Sequence, residues 1–304
     1  MNLIVVGSMA YDSVETPAGK VDRALGGSAT FFSMASSLLA PTAVIAVVGE
    51  DFDEADLERL RARGIDVQGV SRVAGRTFRW GGRYSRYFET RESLFTELNV
   101  FADFKPVIPA SQRATPIVFL ANIHPTLQRD VLDQMDAPRF VALDTMNFWI
   151  GGALAELREV LKRVDLLFIN DEEAFELSGV GMLAGAAAEI LKMGPRWLVI
   201  KRGEHGAFLF GEGVARYVPA VLLERIVDPT GAGDTFAGGF LGWLAHKERF
   251  DQAALEEAMV AGTLVASHCC EGFSVDAVEA LDVEAIRVRQ RRLAAQIADL
   301  TLSW

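Results

Sequence analysis

The chain has 304 residues, half of them apolar and 23% charged, which suits a globular protein with a large core. Its formal net charge of −11 argues against a nucleic-acid partner, which would need basic patches. No apolar run approaches the roughly 18 residues of a membrane span, and the N-terminus lacks a basic leader. Cys269 and Cys270 are adjacent and make a poor structural disulfide, so a reducing, cytoplasmic location is expected.

Residues 3–7 read as a buried strand, and Ser8 to Asp12 follow at its carboxyl end, where open α/β sheets bind ligands. Asp12 is either a turn aspartate or a group that hydrogen-bonds substrate hydroxyls. Leu25-Gly26-Gly27-Ser28 opens a helix to about residue 39, stopped by Pro41. Gly26 and Gly27 permit close approach of a substrate to the backbone. Phe31 and Phe32 are either an apolar wall to a pocket or helix packing. A strand over 43–48 and an amphipathic helix over 51–63, ended at Gly64, come next.

Residues 75–101 break the strand–helix rhythm, with aromatic and β-branched residues in alternation. They read as strands outside that rhythm, and residues 13–24 add one more. Arg76, Arg79, Arg83, Arg86 and Arg91 crowd this stretch. They either protect a solvated edge strand, or one of them steers or clamps a phosphate.

A strand over 117–121 leads to His124 and Pro125, the latter suited to a helix's first turn. His124 is either satisfied locally or touches substrate. A strand over 140–143 leads to Asp144 and Asn147 at the same rim, weaker substrate candidates. A strand over 165–169 runs into Asn170-Asp171-Glu172-Glu173. This acid-rich helix start suits the helix dipole, and such a cluster can also hold Mg²⁺ through waters. A strand over 196–200 continues into Lys201-Arg202-Gly203-Glu204-His205-Gly206, the turn of a hairpin with residues 207–210.

The most informative stretch is Asp228-Pro229-Thr230-Gly231-Ala232-Gly233-Asp234-Thr235-Phe236. Small residues ahead of a helix over 235–246 let successive N–H groups point into one concavity, and the helix N-terminus adds partial positive charge. Such a nest suits a phosphate, and better still a phosphoryl-transfer transition state. Asp234 beside it is either an N-cap or a base that deprotonates an incoming hydroxyl. Residues 255–270 form a helix of small and apolar residues, ended by Glu271-Gly272-Phe273-Ser274, and 283–300 a charged amphipathic helix.

DPTGAGDTFAGGF resembles the C-terminal signature of the PfkB (ribokinase-like) family of small-molecule kinases. Leu25 to Ser28 resembles that family's Gly-Gly signature, Asn170 with Glu173 its N-x-x-E motif, and Lys201 to Gly206 its K-x-G-x-x-G turn. The four motifs span nearly the whole chain in the expected order. The alternating strands and helices themselves indicate a mostly parallel, doubly wound α/β sheet. The resemblance implies a single domain over 1–304, with the strands in 13–24 and 75–101 forming a lid and often a dimer interface. A homodimer through the lid is therefore expected.

The resemblance further implies an ATP-dependent kinase with a small-molecule hydroxyl substrate. Asp234 would be the base, and Gly231, Ala232 and Gly233 the anion hole. Asp12 would bind two substrate hydroxyls beside Gly26 and Gly27, with Phe31 and His124 as further substrate candidates. Asn170 and Glu173 would tune Mg²⁺ and the phosphates. Lys201, Gly203, Gly206, Thr230 and Gly272 would lie along ATP, and backbone carbonyls near Asp228 and Thr230 would hold a monovalent cation such as K⁺. Sugar kinases of the family usually carry a polar residue where Phe31 stands, which points away from a sugar such as ribose. A sugar or polyol acceptor is expected, with a nucleoside as the alternative. A catalytically silent scaffold is disfavoured by the intact Asp234 and Asn170–Glu173 motifs. A dinucleotide oxidoreductase is disfavoured because no G-x-G-x-x-G follows the first strand.

Overall fold

A computed structural model describes residues 1–297. The chain opens with β1 (Leu3–Val6), all four residues buried. It then leaves the main sheet for an antiparallel hairpin of β2 (Ala10–Thr16) and β3 (Gly19–Gly26). After α1 (Ser28–Ser36), β4 (Thr42–Gly49), α2 (Glu54–Ala62) and β5 (Asp66–Val73), a second excursion forms β6 (Phe78–Tyr84) and β7 (Arg91–Glu97). The strand–helix rhythm resumes with β8 (Ile117–Leu120), α3 (Pro125–Leu132), β9 (Phe140–Asp144), α4 (Asn147–Gly152), α5 (Leu154–Leu161) and β10 (Leu166–Asn170). Next come α6 (Asp171–Ser178), α7 (Leu183–Leu191), β11 (Trp197–Lys201), β12 (Ala207–Gly211) and β13 (Val214–Val218). Four helices follow: α8 (Ala232–Lys247), α9 (Gln252–Cys269), α10 (Asp276–Glu279) and α11 (Val283–Gln296).

Among the described residues, nine strands form one sheet in the order β13-β12-β11-β10-β9-β8-β1-β4-β5. It is parallel from β5 to β11, and the β11–β12 and β12–β13 pairs are antiparallel. Side chains alternate between its faces. Val5, Phe119, Phe168 and Val199 face α1, α8 and α9, whereas Val6, Val118, Leu167 and Ile200 face α3, α5, α6 and α7. Burial on both faces explains why these strands read as continuous apolar runs. β1 lies between β4 and β8, so the sheet fills outward from it in both directions. The crevice at such a switch point, outside the carboxyl ends of the strands, is where open α/β sheets carry their ligands.

The small sheet has the order β3-β2-β6-β7, with β2 and β6 parallel and the other pairs antiparallel. The fold is thus the α/β architecture expected, a large mostly parallel sheet with a separate small one. Asp12, expected just beyond the first strand, lies inside β2 of the small sheet. The sequence reading contains neither β5 nor β13, both sheet-edge strands with much exposed surface and a faint apolar pattern. The helix expected over 283–300 is α11 as far as Gln296, and residues 298–300 of that expectation lie outside the described residues. No single helix among the described residues is long and apolar enough to cross a membrane.

α1 is buried along its whole length. Its Phe32 is 0% exposed and stacks on Phe119 of β8 with ring centroids 4.4 Å apart. Phe32→Ala should therefore cost about 3–5 kcal/mol, the range for aromatic truncation in a packed core. Urea unfolding measures it, and a loss well under that range would mean that α1 is not wedged against the sheet as described.

Candidate active site

At the start of α8, Pro229-Thr230-Gly231-Ala232 form a tight turn in which the Ala232 N–H donates to the Pro229 carbonyl at 3.1 Å. Gly231 has φ 76° and ψ 0°, the values of the third residue of a type II turn, which favours glycine. A Cβ there would also lie 2.3 Å from the Phe31 ring. This geometry corrects two expectations. The Ala232 N–H is taken up by the turn and does not line the nest, whereas the Gly233 N–H has no backbone partner among the described residues. Phe31 is 2% exposed and lies beneath Gly231 as the floor of the loop, so it offers no wall to a substrate pocket.

Asp228 props the loop from behind. Its Oδ1 accepts the Thr230 N–H at 2.8 Å, and its own N–H donates to the Cys270 carbonyl at 3.3 Å. The Cys269 thiol donates to the Thr230 carbonyl at 3.5 Å. From the front, the small sheet rests on the same loop. Tyr84 Oη lies 3.0 Å from Thr230 Oγ1, and Thr16 Oγ1 donates to the Val227 carbonyl at 2.8 Å.

Gly231 is the N-cap of α8, so Asp234 sits inside the first turn and is not the cap. Its carboxyl is pushed up to about 7, by burial first and then by the neighbouring Asp144. Lys201, the Asp234 backbone N–H and Arg91 pull the other way. Glu173 is raised to about 7 by burial and Asp144. Asp12 reaches about 7 through burial, then Asp228, with the Gly27 N–H opposing. Acids from four separate elements thus converge.

Lys201, the last residue of β11, is their counterion. Its Nζ lies 2.7 Å from Asp144 Oδ2 and 3.1 Å from the point a Gly233 Cβ would occupy. Burial alone would pull its ammonium down, but Asp144, Glu173 and Asp234 outweigh that, and its pKa is raised. Titratable groups perturbed in this way and gathered at one cleft mark a candidate catalytic centre.

Asp12 packs against Gly26, where a Cβ would lie 2.0 Å from its Oδ2. Asp12, Gly26 and Gly27 therefore form one unit. Asn170 and Glu173 form a capping box at the start of α6. Asn170 Oδ1 accepts the Glu173 N–H at 2.8 Å, and Glu173 Oε2 accepts the Asn170 N–H at 3.0 Å. Glu173 Oε1 has no hydrogen-bond partner among the described residues.

Other sequence candidates have local roles. His124 caps α3, its Nδ1 accepting the Thr126 N–H at 3.2 Å, with its ring edge-on to Trp149. Gly206 stands where the Val218 carbonyl passes 2.2 Å from a would-be Cβ, Gly203 opens to free space, and Gly272 packs against Ala277. From the sequence Asp144 is only a weaker candidate, signalled by its place at a strand's carboxyl end, and Arg91 is not distinguished from the other arginines of its stretch.

The pfkB family carbohydrate kinase model matches residues 126–279. A cytidine kinase from Thermococcus kodakarensis is 29% identical over 248 residues, covering 79% of this chain and 87% of that one. A 2-dehydro-3-deoxygluconokinase from Thermoproteus tenax is 26% identical over 301 residues, covering 86% and 85%. An Escherichia coli protein described as a ribokinase II, solved with ATP and Mg²⁺, superposes with a TM-score of 0.78 at 18% identity. That match covers 96% of this chain and 99% of the other, and shows a shared fold.

The shifted acids predict a pH-dependent stability. Each holds its proton more tightly folded than unfolded, so each favours the folded state below about 4, the unfolded range, and that contribution is lost as pH rises through about 7. Asp234→Asn removes one buried charge. In thermal scans it should melt higher than the parent at pH 8, with the gap closing at pH 5. A lower midpoint at pH 8 would contradict the burial argument.

Proposed function

The chain belongs to the PfkB family of carbohydrate kinases and is a small-molecule kinase acting on sugar or nucleoside hydroxyls; within that family, we propose that it transfers the γ-phosphoryl group of ATP to a hydroxyl of a small sugar or polyol. One observation carries this reading. A carboxyl poised at about 7, Asp234, directly follows the free Gly233 N–H at the N-terminus of a 16-residue helix. A base and an anion-stabilising donor are thereby adjacent, as phosphoryl transfer to an alcohol requires.

Asp12, braced by Gly26 and Gly27, accepts hydrogen bonds from the acceptor's hydroxyls. Asp234 takes the proton of the attacking hydroxyl. The Gly233 N–H, the α8 N-terminus and Lys201 face the charge that develops on the phosphoryl oxygens. The small sheet, acting as a lid, keeps water from competing as acceptor. Asp144 and Glu173 are hard oxygen donors in a cleft where acids outnumber cations, which fits Mg²⁺ held largely through water near Asn170 and Glu173. When bound, that ion neutralises phosphate charge.

Lys201, Gly203, Gly206 and Gly272 belong to the nucleotide side in this reading, with K⁺ on the carbonyls of Asp228 and Thr230. We read the chain as one domain whose lid also forms a homodimer, through a surface including the exposed Tyr87, Leu94 and Leu98. A nucleoside acceptor is the second reading. It is favoured by Trp80, which is the register partner of Asp12 and can offer a stacking face, and by the likeness to a cytidine kinase.

A screen of ATP turnover against sugars, polyols, inositols and nucleosides tests the acceptor, and a sugar or polyol should give the highest kcat/KM. Absence of turnover with every acceptor, together with a stable protein partner, would favour a scaffold instead. On the best acceptor, Asp234→Asn should lower kcat about 10²–10⁴-fold. Near-parental turnover by a folded variant would remove Asp234 as the base.

A further inference from the structure

Strand register sorts the arginines of the small sheet. Neighbouring residues of a strand point to opposite faces, and cross-strand partners share one. Asp12 pairs with Trp80, and Tyr84 with Arg91. Trp80 and Tyr84 are separated by an even step along β6, so Asp12, Trp80, Tyr84 and Arg91 lie on one face. The Tyr84–Thr230 contact turns that face toward the loop of α8. Arg79 and Arg83 stand on the opposite face and are neutralised there, Arg79 by Glu97 at 3.5 Å and Arg83 by Glu15 at 2.8 Å.

Arg91 differs. Among the described residues it forms no ion pair. Its guanidinium lies over the Trp80 ring, 5.3 Å from the centroid, and beside the Tyr84 hydroxyl. Trp80 can lie across the strand because Gly82 is bare, and a Cβ on Gly82 would be 2.1 Å from the indole. Neutral groups thus hold a cation on the cleft side. Its field reaches Asp12, Glu173 and Asp234, which belong to three different elements.

Resting on the kinase reading above, we propose that Arg91 binds the transferring phosphoryl group, bonding its oxygens as it passes from ATP to the acceptor held at Asp12. A guanidinium is a planar fork matched to phosphate oxygens. Lys201 is already engaged by Asp144, so the charge that develops in transfer meets its uncommitted cation from the lid side. The bond balance is that of the kinase step: the O–P bond to ADP breaks, the acceptor O–P bond forms, and the proton goes to Asp234. Arg91 neither gives nor takes a proton. Because it is carried by the lid, this charge reaches the cleft only when the lid is down, which links water exclusion to charge stabilisation.

The test compares the parent, Arg91→Gln and Arg91→Lys at saturating ATP and Mg²⁺ on an uncharged acceptor. Turnover by the parent establishes the kinase reading independently of Arg91. Arg91→Gln should lower kcat about 10²–10³-fold and leave the acceptor KM unchanged, and Arg91→Lys should regain part of the rate. ADP affinity, read by calorimetry, should be the same in all three, whereas a purely structural role would lower it together with the melting temperature. Parental kcat in Arg91→Gln overturns the proposal. So does a loss seen only as acceptor KM, and one confined to carboxylated acceptors would assign Arg91 to an acidic group of the acceptor.

Discussion

Lys201 allows acids from separate elements to share one cleft. Its ammonium is 2.7 Å from Asp144 Oδ2 and lies within the fields of Glu173 and Asp234. Several carboxylates gathered in a weakly solvated site repel one another strongly, and a buried cation offsets that only when closely paired. The parallel sheet supplies the geometry. β9 and β11 flank β10, so Asp144 and Lys201 end at the same rim, and Asn170 ends β10 between them. The pair sets the charge balance within which Asp234 keeps a carboxyl near 7.

The loop before α8 is shaped from below and from above. Below it, the buried Phe31 ring occupies the space a side chain at residue 231 would need, which fixes glycine there and with it the turn. Above it, Tyr84 and Thr16 of the small sheet reach the loop by hydrogen bonds. The position of the small sheet and the shape of the loop are thereby mechanically connected. The same burial that raises Asp234, Asp12 and Glu173 makes their ionised forms costly, so the candidate site strains the fold carrying it.

Much of this was legible in the sequence. Continuous apolar runs such as 3–7 and 117–121 announced buried parallel strands, because a strand covered on both faces needs no polar alternation. The glycines at 26, 27 and 231 announced close approach, and the order of motifs announced the family. Edge strands β5 and β13 escaped because half-exposed residues blur the pattern. His124 looked like a site residue from its place after β8, and its Nδ1 is taken up two residues away, by the Thr126 N–H.

The sequence by itself determined the alternation of strands and helices and the family, and it singled out Asp234 and Asp12 as candidate acids, because these depend on local residue type and spacing. Tertiary structure alone decided which groups face one another. That Phe31 supports a loop two hundred residues away, that Ala232 gives its N–H to a turn, and that Arg91 shares a face with Asp12 while Arg83 does not, follow from packing and register. Long-range contacts and strand parity are set by how elements meet, and no local stretch of sequence encodes that meeting.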